Sequence, residues 1–304
     1  MRRKFLSVVL CVCMMLTMAP FAFAAGTDTG SNTEEAGTSI PANSSSGAGG
    51  DAGSVSTSTT NAITNETDLK TALNNASDGD TITISDTIYI NAPLVITKTV
   101  TLTGGSITAS DSFTAHSDKL ADKSLISLKT AGKVLTLKDI TLDAKQKTLV
   151  VFSNAGKVVV DGATITGGKT NSSVAGVYMT NASEFEMTSG SISSNEVGKT
   201  DYSKYAADLW VGANAKATLS GGKIDNIFVN ANSFSENNPG YFKMQDGHVT
   251  NLYAEYYENY GATVIYDGGT LDNLYISTML GYDDNLEETK AMIDDDNWIH
   301  TGDI

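Results

Sequence analysis

The chain has 304 residues, with 20 Lys and Arg against 35 Asp and Glu, and a formal net charge of −15. Its arginines are Arg2 and Arg3 alone, so beyond them the surface is acidic and lacks the planar fork that best grips phosphate or carboxylate. That balance repels nucleic acid and anionic lipid and excludes both as partners.

Arg2, Arg3 and Lys4 precede an uncharged run from Phe5 to Phe23, and Ala22-Phe23-Ala24 supplies the small residues of a cleavage site. Residues 1–24 are expected to be a secretory signal peptide, which makes the protein secreted or bound at the cell surface. Pro20 and the polar stretch that follows separate the run from a membrane anchor, so no membrane insertion is expected after cleavage. Cys11 and Cys13 leave with the signal, and neither follows the small residue of a lipoprotein signal. The processed chain then has no disulfide and needs a large or repetitive core. It keeps 17 basic residues (20 less Arg2, Arg3 and Lys4) against 35 acidic ones, a net charge of −18. Such a surface suits neutral sugars, cationic partners or calcium, and at the least keeps an exported protein soluble. Residues 25–60, with the run PANSSSGAGGDAGS, have almost nothing to bury and read as a flexible linker.

Structure is expected over 61–282. Asn65-Glu66-Thr67-Asp68 can cap a helix whose Leu69, Ala72, Leu73 and Ala76 form one apolar stripe, and Gly79-Asp80 then turns the chain into the strand TITI. From there one phrase recurs. TVTLTGGSITAS at Thr99 returns as KATLSGGKIDNI at Lys216. Anchors fall at Leu102, Leu137, Val160, Met187, Leu219, Met244 and Tyr266. Two before each, and five after, stands an apolar residue; three after stands Gly or Ala except at Ile140; four after, where period-two geometry points outward, stands a polar one. An antiparallel sandwich could use such strands but would not need anchors that align coil after coil. Stacked coils do, because no coil can bury its apolar residues except against a neighbour. The expected fold is an all-β, single-stranded parallel β-helix of about eight coils, roughly 40 Å long at ~4.8 Å per coil. Asn285 with Glu288 has the form of a capping box before a short helix reaching Ile293, so 283–304 is expected to be an acidic carboxyl-terminal cap or tail.

The stretch ETDLKTALNNASDGDTITI, a capping helix leading through Gly-Asp into the first strand, resembles the amino end of right-handed parallel β-helix proteins of the pectin-lyase-like superfamily. The Gly-hinged coils match that group's loose pattern over about 240 residues. The resemblance implies the right-handed coil and a habit of acting on, or adhering to, polysaccharides and cell surfaces.

Enzymes of that kind use paired aspartates for hydrolysis, or calcium and a basic residue for elimination. The processed chain has no arginine and shows neither the Asn-Thr-Asp nor the Arg-Ile-Lys signature, so no catalytic residue is assigned and lysine is the base an eliminase would have to use. His248 sits at an outward position and reads as a surface histidine, while His116 lies in a polar insertion. His300 belongs to a Trp-x-His-Thr-Gly-Asp string that resembles adenylate-forming enzymes without their phosphate loop or fold. Asp283, Asp284 and Asp294 to Asp296 do not have the alternating spacing of an EF-hand and read as a solvated tail, calcium being the cofactor they would otherwise take.

Asn226, Asn251 and Asn273 share one place, seven beyond their anchors, and can ladder in a turn. Two places on come Phe228, Tyr253 and Tyr275, which strand parity turns outward if Ile227, Leu252 and Leu274 face in. Eight of the twelve tyrosines lie from Tyr241 onward, Tyr256 and Tyr257 among them. Phe228, Tyr253, Tyr275, Tyr256 and Tyr257 are therefore the expected carbohydrate-binding residues, with rings that stack on sugars; the alternative is that they ladder to hold coils together. The expected function is a non-catalytic, adhesin-like module whose partner is a glycan or cell-surface polysaccharide. A polysaccharide lyase or glycoside hydrolase, and a structural spacer or fragment of a larger surface protein, are the alternatives.

Overall fold

A computed structural model describes residues 63–116, 119–198, 208–231, 238–257, 260–278 and 281–282. The expected signal peptide, linker and acidic cap lie outside the described residues. Within them the chain is a parallel β-helix of three-sided coils.

The first side stacks Asp80–Thr83, Val100–Thr103, Val134–Lys138, Lys157–Asp161, Glu184–Met187, the start of Lys216–Val229, the start of Tyr241–Tyr257, and Thr263–Tyr266. All seven anchors fall in one register here: Leu102 pairs with Leu137, Leu137 with Val160, Val160 with Met187, Met187 with Leu219, Leu219 with Met244, and Met244 with Tyr266. Ile82 adds an eighth rung in front of Leu102. The second side aligns the residues five beyond the anchors, from Ile107 through Leu142, Ile165, Ile192, Ile224 and Val249 to Leu271. The third side stacks Leu94–Ile96, Ile126–Leu128, Val151–Asn154, Val177–Thr180, Leu209–Val211, and the ends of Lys216–Val229, Tyr241–Tyr257 and Thr270–Thr278.

Period-two alternation explains the single dry core. Every anchor but Tyr266, and every matching residue but Leu271, is buried, and both exceptions belong to the last rung. Each fully buried Leu or Ile contributes about 1.5–3 kcal/mol, which the coil realises only when stacked.

The corner between the first two sides needs glycine. Gly190, Gly222, Gly247 and Gly269 have φ between 85° and 101°, and a Cβ on Gly222, Gly247 or Gly269 would stand 2.8 Å from the carbonyl oxygen of the preceding glycine in the column. A left-handed backbone in close contact with its neighbour excludes any side chain.

The front is closed as the sequence implies. Glu66–Asn75 is a helix whose N-cap Asn65 accepts from the Asp68 amide at 2.9 Å, with Leu69 and Leu73 buried. Glu66 ties it to the first coil by accepting from the Asn91 backbone and side chain at 3.1 and 2.8 Å. Ile63 bridges Ile84 and covers part of the first edge.

Candidate functional site

Strand parity on the third side puts aliphatic residues in the core and an aromatic column on the opposite face. Phe152 pairs with Tyr178, Tyr178 with Trp210, Trp210 with Phe228, Phe228 with Tyr253, and Tyr253 with Tyr275. Ile227, Leu252 and Leu274 belong to the main core, so the outward direction of Phe228, Tyr253 and Tyr275 holds. Trp210 and Phe228 stack at 4.4 Å and 20°, Tyr253 and Tyr275 at 4.5 Å and 8°. Phe152 with Tyr178, and Tyr178 with Trp210, meet edge to face at 5.6 and 6.2 Å.

Outward does not mean open in this column. Phe228 is 2% exposed and Tyr253 3%, whereas Tyr178, Trp210 and Tyr275 are half-buried. Burial pushes the Tyr178 hydroxyl above its ordinary range. Tyr256 lies off the column, half-buried, where its strand pairs antiparallel with Gly261; the side chain of Tyr257 lies outside the described residues. The structure thus brings three of the five expected residues together and adds Phe152, Tyr178 and Trp210.

The signal for those three is a repeated triplet. Asp208-Leu209-Trp210 has the polar, aliphatic, aromatic order of Asn226-Ile227-Phe228, Asn251-Leu252-Tyr253 and Asn273-Leu274-Tyr275. Its first members form a hydrogen-bonded line along the corner. Asn273 donates to Asn251 at 3.1 Å, Asn251 to Asn226 at 2.9 Å, and Asn226 to Asp208 at 2.8 Å. Asn195 donates to the other Asp208 oxygen at 2.8 Å. Asp208 is 1% exposed; burial pushes its carboxyl up to about 6 despite these donors, and nearby Asp225 adds to the rise.

Beside the column's early rungs lies a cavity of about 450 Å³, formed where the turns before Val151–Asn154 and Val177–Thr180 approach the short helix Leu120–Lys123. Lys123, Lys147 and Lys169 line it with Thr148, Thr170 and Ser172, and the Thr148 and Thr170 hydroxyls already donate to the Lys123 and Val174 carbonyls. Leu149 and Val174, in the same two turns, pack with Phe152 in a cluster that Tyr178 and Trp210 join. The cavity and the aromatic column are therefore neighbours.

His248 is not solitary: its Nε2 lies 2.9 Å from an Asp272 oxygen on the next coil. Among the described residues, no three His, Cys, Asp or Glu side chains are grouped to hold a metal ion. Comparison with family models, with curated proteins and with solved structures finds no match for this chain.

Proposed function

We propose that this protein is an exported, non-catalytic β-helix module, an adhesin-like relative of the pectin-lyase-like proteins, that binds carbohydrate at a cell surface or in the extracellular matrix. The observation that carries this reading is the aromatic column lying beside a polar cavity. Half-buried rings at Tyr178, Trp210 and Tyr275 offer apolar faces with fixed orientation, and sugar rings stack on such faces. Ser172 and Asn171, which line the cavity, bring a hydroxyl and an amide that can fix a saccharide's orientation by hydrogen bonds. Phe228 and Tyr253, buried between Trp210 and Tyr275 in the same column, hold its spacing.

The test is retention of the processed protein on an array of immobilised glycans. Tyr178→Ala and Tyr275→Ala should each weaken retention about fivefold, since one aromatic contact contributes about 1 kcal/mol. Tyr89→Ala, which removes an exposed ring from another side of the helix, should leave it unchanged. Absence of retention on every glycan, or equal loss in all three variants, would reject the reading.

A further inference from the structure

The cavity beside the column has a charge opposite to that of the protein around it. Three lysines, Lys123, Lys147 and Lys169, line one space of about 450 Å³, and among the described residues that line it none is acidic. The chain as a whole carries −15. Long-range repulsion of anions is screened beyond about 8–10 Å at ordinary ionic strength, so at contact distance the local lysines decide. Like charges around one cavity repel each other, and an anion that enters relieves that repulsion beyond what the Lys169 partner Glu196 already does.

The lysines are positioned by backbone. Lys145 and Gln146 both have positive φ, 49° and 61°, two consecutive non-glycine residues in a region such residues avoid. That turn is held by the Gln146 amide donating to Gly167 at 2.6 Å and the Lys147 amide donating to Ala144 at 2.9 Å. It presents the Lys147 side chain, which makes no ion pair among the described residues. Lys169 is brought alongside by its amide, which donates to Thr148 at 2.9 Å. The buried Thr148 hydroxyl donates to the Lys123 carbonyl, tying the third lysine's helix to the same wall.

Lys169 already has a partner, Glu196 at 2.6 Å, and a weaker contact to Gln146 at 3.3 Å. The Lys169 and Glu196 side chains are both well exposed, and an exposed pair contributes little, so exchange for a ligand is cheap. Ser172 and the Asn171 amide line the same space and can donate to a bound oxygen. Ammonium groups act as point charges and, unlike the guanidinium fork, do not select a planar carboxylate; three of them with hydroxyl and amide donors suit a compact, multiply charged anion.

We propose that this cavity is a binding site for a tetrahedral oxyanion, the phosphate or sulfate group of a larger ligand, gripped by Lys123, Lys147 and Lys169. The assignment does not rest on the carbohydrate reading, although both invoke this cavity, because the anion need not be carried on a sugar and stacking on Tyr178 and Tyr275 requires no anion.

The test is calorimetric titration of the processed protein with inorganic phosphate and with inorganic sulfate, followed by retention on a sulfated polysaccharide, on polyphosphate and on polygalacturonate. Saturable binding of at least one inorganic anion is expected, weakened at least tenfold in Lys147→Ala, Lys169→Ala and less than twofold in Lys223→Ala, Lys243→Ala, which removes equal charge elsewhere. Thermal melting should be unchanged in both double variants. Retention on the sulfated chain or on polyphosphate shows whether the site prefers sulfate or phosphate oxyanions. The proposal is overturned if neither inorganic anion binds, if both double variants lose affinity alike, or if only the carboxylate polymer is held through Lys147 and Lys169. None of these outcomes bears on neutral-glycan retention through Tyr178 and Tyr275.

Discussion

Asn226 Nδ2 donates to a buried oxygen of Asp208 at 2.8 Å across a coil boundary, and this contact sets the direction of every amide behind it. A carboxylate only accepts, so Asn226 must turn its NH₂ toward Asp208 and its oxygen toward Asn251. Asn251 and Asn273 follow in the same sense. The ladder is thus a polarised line with one acidic terminus, buried beside the aromatic column.

The terminus should make stability depend on pH. In the unfolded chain Asp208 titrates near its ordinary 3.8, and in the fold near about 6. Between those values the folded state binds more protons, so this residue makes the protein less stable as pH rises through the window, with no further change above it. A rise of that size corresponds to about 3 kcal/mol at most. Glu66, Asp78 and Asp161 act in the opposite sense, because lysine partners and neighbouring hydrogen bonds hold them below the ordinary range. The difference between wild type and Asp208→Asn isolates the effect. Urea midpoints from pH 4 to 7 should fall more steeply, or rise less, in wild type, and parallel profiles would exclude a raised Asp208.

Cutting the ladder should cost more toward its acidic end. Asn251→Leu leaves the Asn226 oxygen without its donor, while Asn273 keeps the Thr250 carbonyl as an acceptor at 3.2 Å, a loss of about 1 kcal/mol for half-buried groups. Asn226→Leu also strips a donor from buried Asp208, adding about 1–3 kcal/mol for a charged group left short of a partner. Denaturant titration at pH 7 orders the variants; equal losses would mean that Asp208 does not depend on Asn226.

The first two sides of the coil were legible because anchor, hinge and outward residue keep fixed offsets, and a one-residue slip would have turned each apolar set to solvent. The third side was legible only in part. In the last three coils its aromatic residue lies nine after the anchor, at Phe228, Tyr253 and Tyr275, but in the preceding three it lies 15, 18 and 23 after, at Phe152, Tyr178 and Trp210. Insertions at the corner displace it, and one pair of them forms its own small parallel sheet, Lys169–Thr170 with Glu196–Val197. The same insertions bring Lys147 and Lys169 to one cavity, and no periodicity records a contact between turns of unequal length. Asp208 escaped for that reason too, although its triplet carries the order of the asparagine coils.

Two glycines separate backbone strain from steric contact. Gly79 has φ 96° and, apart from its own chain neighbours, no described atom within 4 Å of the place a methyl group would take, so Gly79→Ala should cost about 1–2 kcal/mol from the left-handed conformation alone. Gly247 has nearly the same φ, 98°, but its Cβ would press on the Gly222 carbonyl at 2.8 Å and on Gly221 backbone at 3.1 Å. Gly247→Ala should therefore lose distinctly more, and its melting temperature should fall below that of Gly79→Ala. Equal melting temperatures would show that the corner column can spread to admit a methyl group.

Inside the first side, one column alternates size: Phe185 pairs with Ala217, and Ala217 with Phe242, all three essentially fully buried. With a buried ring on the rung above and another on the rung below, Ala217 leaves space that a larger side chain could take only by displacing Phe185 or Phe242. Ala217→Leu should destabilise by about 1–3 kcal/mol through overpacking, while Phe242→Leu should cost a comparable amount by leaving a void. Because the two changes share one space, Ala217→Val combined with Phe242→Leu should lose less than the sum of the single variants, with a coupling of about 0.5–3 kcal/mol. A double-mutant cycle by urea denaturation measures it. Strict additivity would mean that each coil packs independently of the next, which is incompatible with a core that exists only between coils.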